Sequence, residues 1–72
     1  MSAIIDARGL SCPQPVILTL NKIKELDTGQ IEVLVDTDTS RENVSRAAKS
    51  KDWNVKDVQP DGLGYRMTLE KI

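Results

Sequence analysis

The amino-acid sequence predicts an α/β (α+β) two-layer sandwich with the order β-α-β-α-β-β. Two observations carry that expectation. Apolar residues recur at helical spacing in two segments and at period two in the segments around them. A cluster of turn residues, Pro60-Asp61-Gly62-Leu63-Gly64, then separates the last two strand-like runs. Two helical crossovers followed by a hairpin give a mixed four-stranded sheet, and right-handed crossovers place both helices on one face. The chain has 72 residues, and single cores usually come in units of ~100 to 150 residues, so residues 1–72 are expected to form a single domain with no room for a deep enclosed site.

Ala3-Ile4-Ile5-Asp6 reads as a short first strand closed by Arg8-Gly9. From Pro13 to Leu26, Val16, Leu20 and Ile23 recur at helical spacing and Ile17 and Leu26 flank them. Asn21, Lys22 and Glu25 fall on the other side, and Gly29 supplies a stop. Ile31, Val33 and Val35 alternate with Glu32, Leu34 and Asp36, which predicts a strand ended by Asp36-Thr37-Asp38. Thr39 followed three residues later by Glu42 is a capping-box signature. Val44, Ala47 and Ala48 then make the narrow apolar stripe of a second helix ending near Lys51. Trp53, Val55 and Val58 suggest a third strand with irregular alternation, with Trp53 in the core or at its rim. Tyr65, Met67 and Leu69 alternate cleanly with Arg66, Thr68 and Glu70 in the fourth.

Composition excludes several function classes. Ten Lys and Arg against eleven Asp and Glu leave a net charge of −1, which is not a surface built to neutralise many phosphates. Aromatic residues make up 3% of the chain with no Phe, so base-stacking platforms are scarce. Both features disfavour a direct nucleic-acid partner, including an RNA-binding module of similar β-α topology. The longest apolar runs, Val16-Ile17-Leu18 and Val33-Leu34-Val35, fall far below the ~20 residues of a bilayer span. Met1-Ser2-Ala3-Ile4 lacks the regions of a signal peptide. The expected setting is cytoplasmic, with no membrane partner.

The chain has one cysteine and no histidine. One cysteine makes no internal disulfide and no structural zinc site, so any sulfur chemistry involves a second molecule. Without histidine there is no Cys-His dyad. Cys12 stands in Ser11-Cys12-Pro13-Gln14-Pro15, at the start of the first predicted helix. A helix leaves its first four N–H groups without internal partners and carries partial positive charge at that end. If Cys12 is the N-cap, Pro13 suits the first helical position. Pro13 and Pro15 together remove two of the four donors, leaving those of Cys12 and Gln14, with the Gln14 N–H placed to reach a capping atom. Helix starts and nearby cations such as Arg8 lower a cysteine pKa. Two readings of Cys12 follow from its surroundings: a partly exposed thiolate, or a small buried residue at a strand–helix junction.

Asp6, Arg8 and Gly9 followed by Cys12-Pro13-Gln14-Pro15 resemble the signature of the TusA-like (SirA-like) sulfur-carrier family, with its Cys-Pro-x-Pro motif at the start of the first helix. Length, element order and early motif position agree across nearly the whole chain. The Glu42-Asn43-Val44 helix start and the strand before it are similar to the amino-terminal domain of YedF-type members. The resemblance implies that Cys12 takes up sulfane sulfur as a persulfide and passes it on, and that Pro13 and Pro15 shape the helix start around Gln14. Asp6, Arg8 and Gly9 would serve loop geometry and local electrostatics. The partners implied are sulfur donors and acceptors such as a cysteine desulfurase, a rhodanese or a DsrE-like protein. The expected protein is a monomeric, sulfurtransferase-like carrier with no cofactor beyond transient persulfide sulfur. The rival is an adaptor in which Cys12 is structural.

Asp36-x-Asp38-x-Ser40 resembles the opening of a calcium loop, but Arg41 occupies the glycine position and Ala47 the position of the bidentate glutamate, so no metal is expected. Leu18 falls opposite Val16 and Leu20 and is expected to be exposed, within two turns of Cys12, as a partner contact. Arg41, Arg46, Lys49 and Lys51 make the second helix weakly basic, which is a solvated face or a surface for an acidic partner.

Overall fold

The structure, a computed structural model, describes residues 2–10 and 14–71. Its elements are β1 (Ser2–Asp6), α1 (Gln14–Leu26), β2 (Gly29–Val35), α2 (Asp38–Ser50), β3 (Asn54–Asp61) and β4 (Gly64–Lys71). The strands lie in the order β1-β2-β4-β3, with β1 parallel to β2 and the other two pairs antiparallel. The mixed four-stranded sheet expected from the sequence is thus present.

Period-two alternation sorts the sheet into two faces. Ile31, Val33 and Val35 of β2 and Met67 and Leu69 of β4 are fully buried on the helix-covered face, packed with Ile5 of β1, Ile23 of α1, Val44 and Ala48 of α2, and Trp53. The opposite face is polar and carries the Arg66–Glu32 and Lys56–Glu70 ion pairs at 3.2 and 3.5 Å. Trp53 is buried in the core, as its sequence context suggests.

Three boundaries differ from the sequence reading. α1 stops at Asp27, which takes the left-handed conformation at φ 62°, while Gly29 already opens β2. α2 is capped by Thr37, whose side chain accepts from the Ser40 N–H at 3.0 Å, so Thr39 and Glu42 form no capping box. Pro60 and Asp61 belong to β3, leaving a two-residue hairpin turn of Gly62 and Leu63 with Gly62 at φ 64°. β3 is an edge strand, where proline deprives the ladder of nothing it needs.

The end of α2 fixes Trp53. Asp52 adopts φ 64° and donates to the Lys49 carbonyl at 3.1 Å, and the Trp53 N–H donates to the Ala48 carbonyl at 2.9 Å. This is a Schellman closure with aspartate in place of the usual glycine.

On α1 the core face is offset from the predicted one. Pro15, Thr19 and Ile23 are its buried residues, and Val16 and Leu20 are half-buried flanks. A count of apolar residues passes over Thr19, which is buried because its hydroxyl donates to the Pro15 carbonyl at 2.8 Å. A hydroxyl satisfied within its own helix enters a core at little cost.

Gly64 marks the tightest approach in the sheet. A Cβ there would fall 2.1 Å from the Val35 carbonyl oxygen and 2.7 Å from the Asp36 Cα. Both neighbours are backbone of the central strand and its exit. Gly64→Ala is therefore expected to cost about 1–3 kcal/mol, read as a lower urea midpoint at unchanged m-value; an unchanged midpoint would contradict the close approach.

Candidate functional site

Strand directions determine which segments share one end of the sheet. β1 and β2 are parallel, so both end at the same side of the sheet, and Val35 faces Tyr65 at the start of β4. Asp61 at the end of β3 pairs with Gly64. The β1–α1 loop, the β2–α2 junction and the β3–β4 hairpin therefore share one end of the molecule with both helix starts. Of the motif, Ser11, Cys12 and Pro13 lie outside the described residues. Gln14 is the exposed first residue of α1, and Pro15 is buried one position in.

The loop leading to the motif is shaped by the residues that the sequence reading set beside Cys12. Asp6 and Arg8 form a two-pronged pair: Arg8 Nε donates to Asp6 Oδ1 at 2.9 Å and Nη2 to Oδ2 at 3.0 Å, while the Arg8 backbone N–H reaches Oδ1 at 3.2 Å. Both side chains are about half exposed, so the pair is worth little in global stability and acts by fixing the turn. Fully buried Ala7 donates to the Leu34 carbonyl at 2.9 Å, which carries the β1–β2 ladder one residue further. Gly9 takes φ 79° with open space around it, so it is needed for its backbone angle. Its N–H donates to Asp36 Oδ2 at 2.7 Å.

Asp36 is thus a loop-positioning residue, a role that its reading as a strand terminator and as part of a calcium-loop-like run did not include. A second such link joins α2 to β4: the Tyr65 hydroxyl donates to Asp38 Oδ1, and the Arg41 guanidinium lies 5.0 Å from the Tyr65 ring centre. The adjacent Asp38 carboxylate raises the Tyr65 pKa, because the phenol would lose its donated bond and gain a like charge on ionising. Both contacts span 27 residues, and no local pattern announces them.

Leu18 does not stand where its spacing suggested. It is half-buried and packs against the core, because the face centred on Pro15, Thr19 and Ile23 includes its position. The full exposure expected of it is therefore not found. The large exposed apolar side chains among the described residues are instead Ile4, Leu10, Ile17 and Leu63. The described residues contain no cluster of three or more metal-ligating side chains, and no helix is long and apolar enough to cross a membrane.

The geometry defines a class: a small mixed-sheet α+β domain whose first strand leads through a pinned loop toward a helix that opens at Gln14-Pro15, directly after Cys12-Pro13 in the sequence. The family model described as Sulfurtransferase TusA matches residues 3–71, and the chain belongs to that family. It is 34% identical over 68 residues to the YedF protein of Escherichia coli (strain K12), covering 93% of this chain and 88% of that one. It is also 42% identical over 40 residues to the sulfur carrier protein TusA of Pseudomonas aeruginosa (strain LESB58), across 56% of this chain and 51% of that one. The crystal structure of a SirA-like protein from Desulfitobacterium hafniense superposes with a TM-score of 0.86 at 33% identity, over 94% of this chain and 95% of that one.

The Asp6–Arg8 pair has a pH signature. Hydrogen bonds from the Arg8 side chain and backbone hold the Asp6 carboxyl at about 2, below its ordinary 3.8. A depressed carboxyl stabilises the folded loop fully above its ordinary value, and that contribution is lost as pH falls through about 2. The Asp6 carboxyl carbon shift should titrate near pH 2 in the intact protein and move toward 3.8 in Arg8→Ala. A common titration point in both proteins would refute the pairing.

Proposed function

We propose that this protein is a sulfur carrier that accepts sulfane sulfur as a persulfide on Cys12 and hands it to a partner protein. The reading is carried by family membership over residues 3–71 together with the Cys12-Pro13-Gln14-Pro15 run, which in the sequence follows the pinned loop and leads into α1. In the chemistry proposed, the Cys12 thiolate attacks the terminal sulfur of a donor persulfide. The donor's S–S bond breaks, its cysteine leaves as a thiolate, and a new S–S bond holds the sulfur on Cys12. The transferred sulfur keeps its oxidation state, so no external oxidant or reductant is consumed. Transfer onward repeats the step with an acceptor nucleophile.

A carrier of this kind needs thiolate character and access more than acid-base machinery, which suits a chain with one cysteine and no histidine. The start of α1 supplies the field that favours the thiolate. Arg8 contributes less than its bare charge because Asp6 already holds its guanidinium. Donors and acceptors of the proposed relay are proteins that form or consume persulfides, such as a cysteine desulfurase, a rhodanese or a DsrE-like protein. The proposed setting is cytoplasmic, and the proposed state is a monomer with no resident cofactor. In support of a monomer, the open sheet face is polar and ion-paired. The β1 edge has only five residues, and the β3 edge is broken by a register shift between Val55 and Asp57 and by Pro60, features that resist edge-to-edge pairing.

Intact-mass analysis after incubation with a cysteine desulfurase and cysteine tests the reading. The wild type is expected to gain one sulfur atom that reductant removes, and Cys12→Ser to gain none. Absence of any adduct, with a thiol pKa near the free value of ~8.5, would overturn it in favour of a structural cysteine.

A further inference from the structure

Three of the four large exposed apolar side chains among the described residues lie at the end of the sheet where β1 runs out toward the motif. Leu10 precedes it in the β1–α1 loop at 38% exposure, Ile17 lies in the first turn of α1 at 41%, and Leu63 stands at 101% on the β3–β4 hairpin. Ile4, the fourth, belongs to the polar sheet face opposite Glu32. Single exposed leucines are ordinary on protein surfaces. Leu63 differs in that nothing in the fold accounts for it: the hairpin requires the backbone freedom of Gly62 and the close approach of Gly64, and no internal contact holds a residue exposed at 101%. The molecule spans 30 × 21 × 17 Å, so one partner surface can cover this end.

The same end is acidic. Asp6, Asp36, Asp38 and Asp61 are set there against Arg8 and Arg41. Arg8 is paired with Asp6 and Arg41 lies 3.9 Å from Asp38, which leaves Asp36 and Asp61 outside ion-pair distance of any cation among the described residues.

We propose that this end is the docking surface for the protein that delivers sulfur, with Leu63 and Leu10 as apolar anchors, and that the partner presents an apolar patch bordered by Lys or Arg. The inference rests on the carrier reading and adds the surface and the partner's chemistry. Apolar anchors within a charged border give an interface with both residence and steering. Leu63 makes the sharper test because its exposure frees it from any role in folding.

The experiment follows sulfur uptake on Cys12 by intact mass from two donors: a cysteine desulfurase with cysteine, and glutathione persulfide, which is too small to use the surface. Leu63→Ser is expected to slow uptake from the desulfurase by about tenfold while leaving glutathione persulfide uptake and the melting temperature unchanged. Asp61→Asn should weaken the salt dependence of desulfurase transfer. Equal desulfurase rates for the wild type and Leu63→Ser would overturn the docking surface alone. Equal slowing with both donors would also overturn it, by showing an effect on loop reactivity. Failure of the wild type to take sulfur from either donor would overturn the carrier reading and this inference with it.

Discussion

β2 is the strand through which the molecule is assembled. It pairs in parallel with β1 on one side and antiparallel with β4 on the other, and Ile31, Val33 and Val35 are wholly buried beneath the helices. A slip of one residue in either pairing would turn those three side chains out to the polar face, so burial itself fixes the register. Once the register is fixed, the C-terminal ends of β1 and β2 and the hairpin beside them must emerge together. Gly64 completes this arrangement, since only a residue without a side chain fits against the Val35 carbonyl.

The loop that carries the motif depends on that framework. Ala7 extends the β1–β2 ladder, Gly9 is tied to Asp36 at the exit of β2, and the Asp6–Arg8 fork holds the turn between them. The fork lies in water and adds little to global stability. Its effect is local, in limiting the conformations of the chain before α1. The arrangement also places both helix starts, and with them their fields, at the end of the sheet where β1 and β2 finish.

This economy fits the proposed chemistry. Persulfide exchange moves a sulfur atom between thiolates and calls for a nucleophile, access and a partner. Among the described residues, the loop that precedes Cys12 in the sequence and the β3–β4 hairpin are both exposed at one end of the sheet. Exposed Leu10 and Leu63, with the carboxylates of Asp36 and Asp61 that meet no cation among the described residues, are the features through which the proposed partner is selected.

Much of the fold was legible in the residues themselves. The element order and the mixed sheet followed from two periodicities and one turn cluster, and the stripe of Val44 and Ala48 on α2 followed from helical spacing. The identity of the family was legible in Asp6, Arg8, Gly9 and the Cys-Pro-Gln-Pro run. The end of α1 was misplaced, because Asp27 takes the left-handed conformation and stops the helix before the expected Gly29, whereas α2 ends at the Lys51 cap as its spacing indicated. The α1 face was misassigned at Leu18 because burial of Thr19 depends on a hydroxyl finding the Pro15 carbonyl, a contact that hydropathy does not encode. The links of Gly9 to Asp36 and of Tyr65 to Asp38 were invisible for a different reason: each joins residues 27 apart, which become neighbours only when the sheet forms. By itself the sequence determined the elements, their order and the cysteine-bearing motif, since these rest on local pattern. The tertiary structure decided which loops share the motif's end and which leucines face water there, since both depend on strand register and on which side of each helix the core accepts.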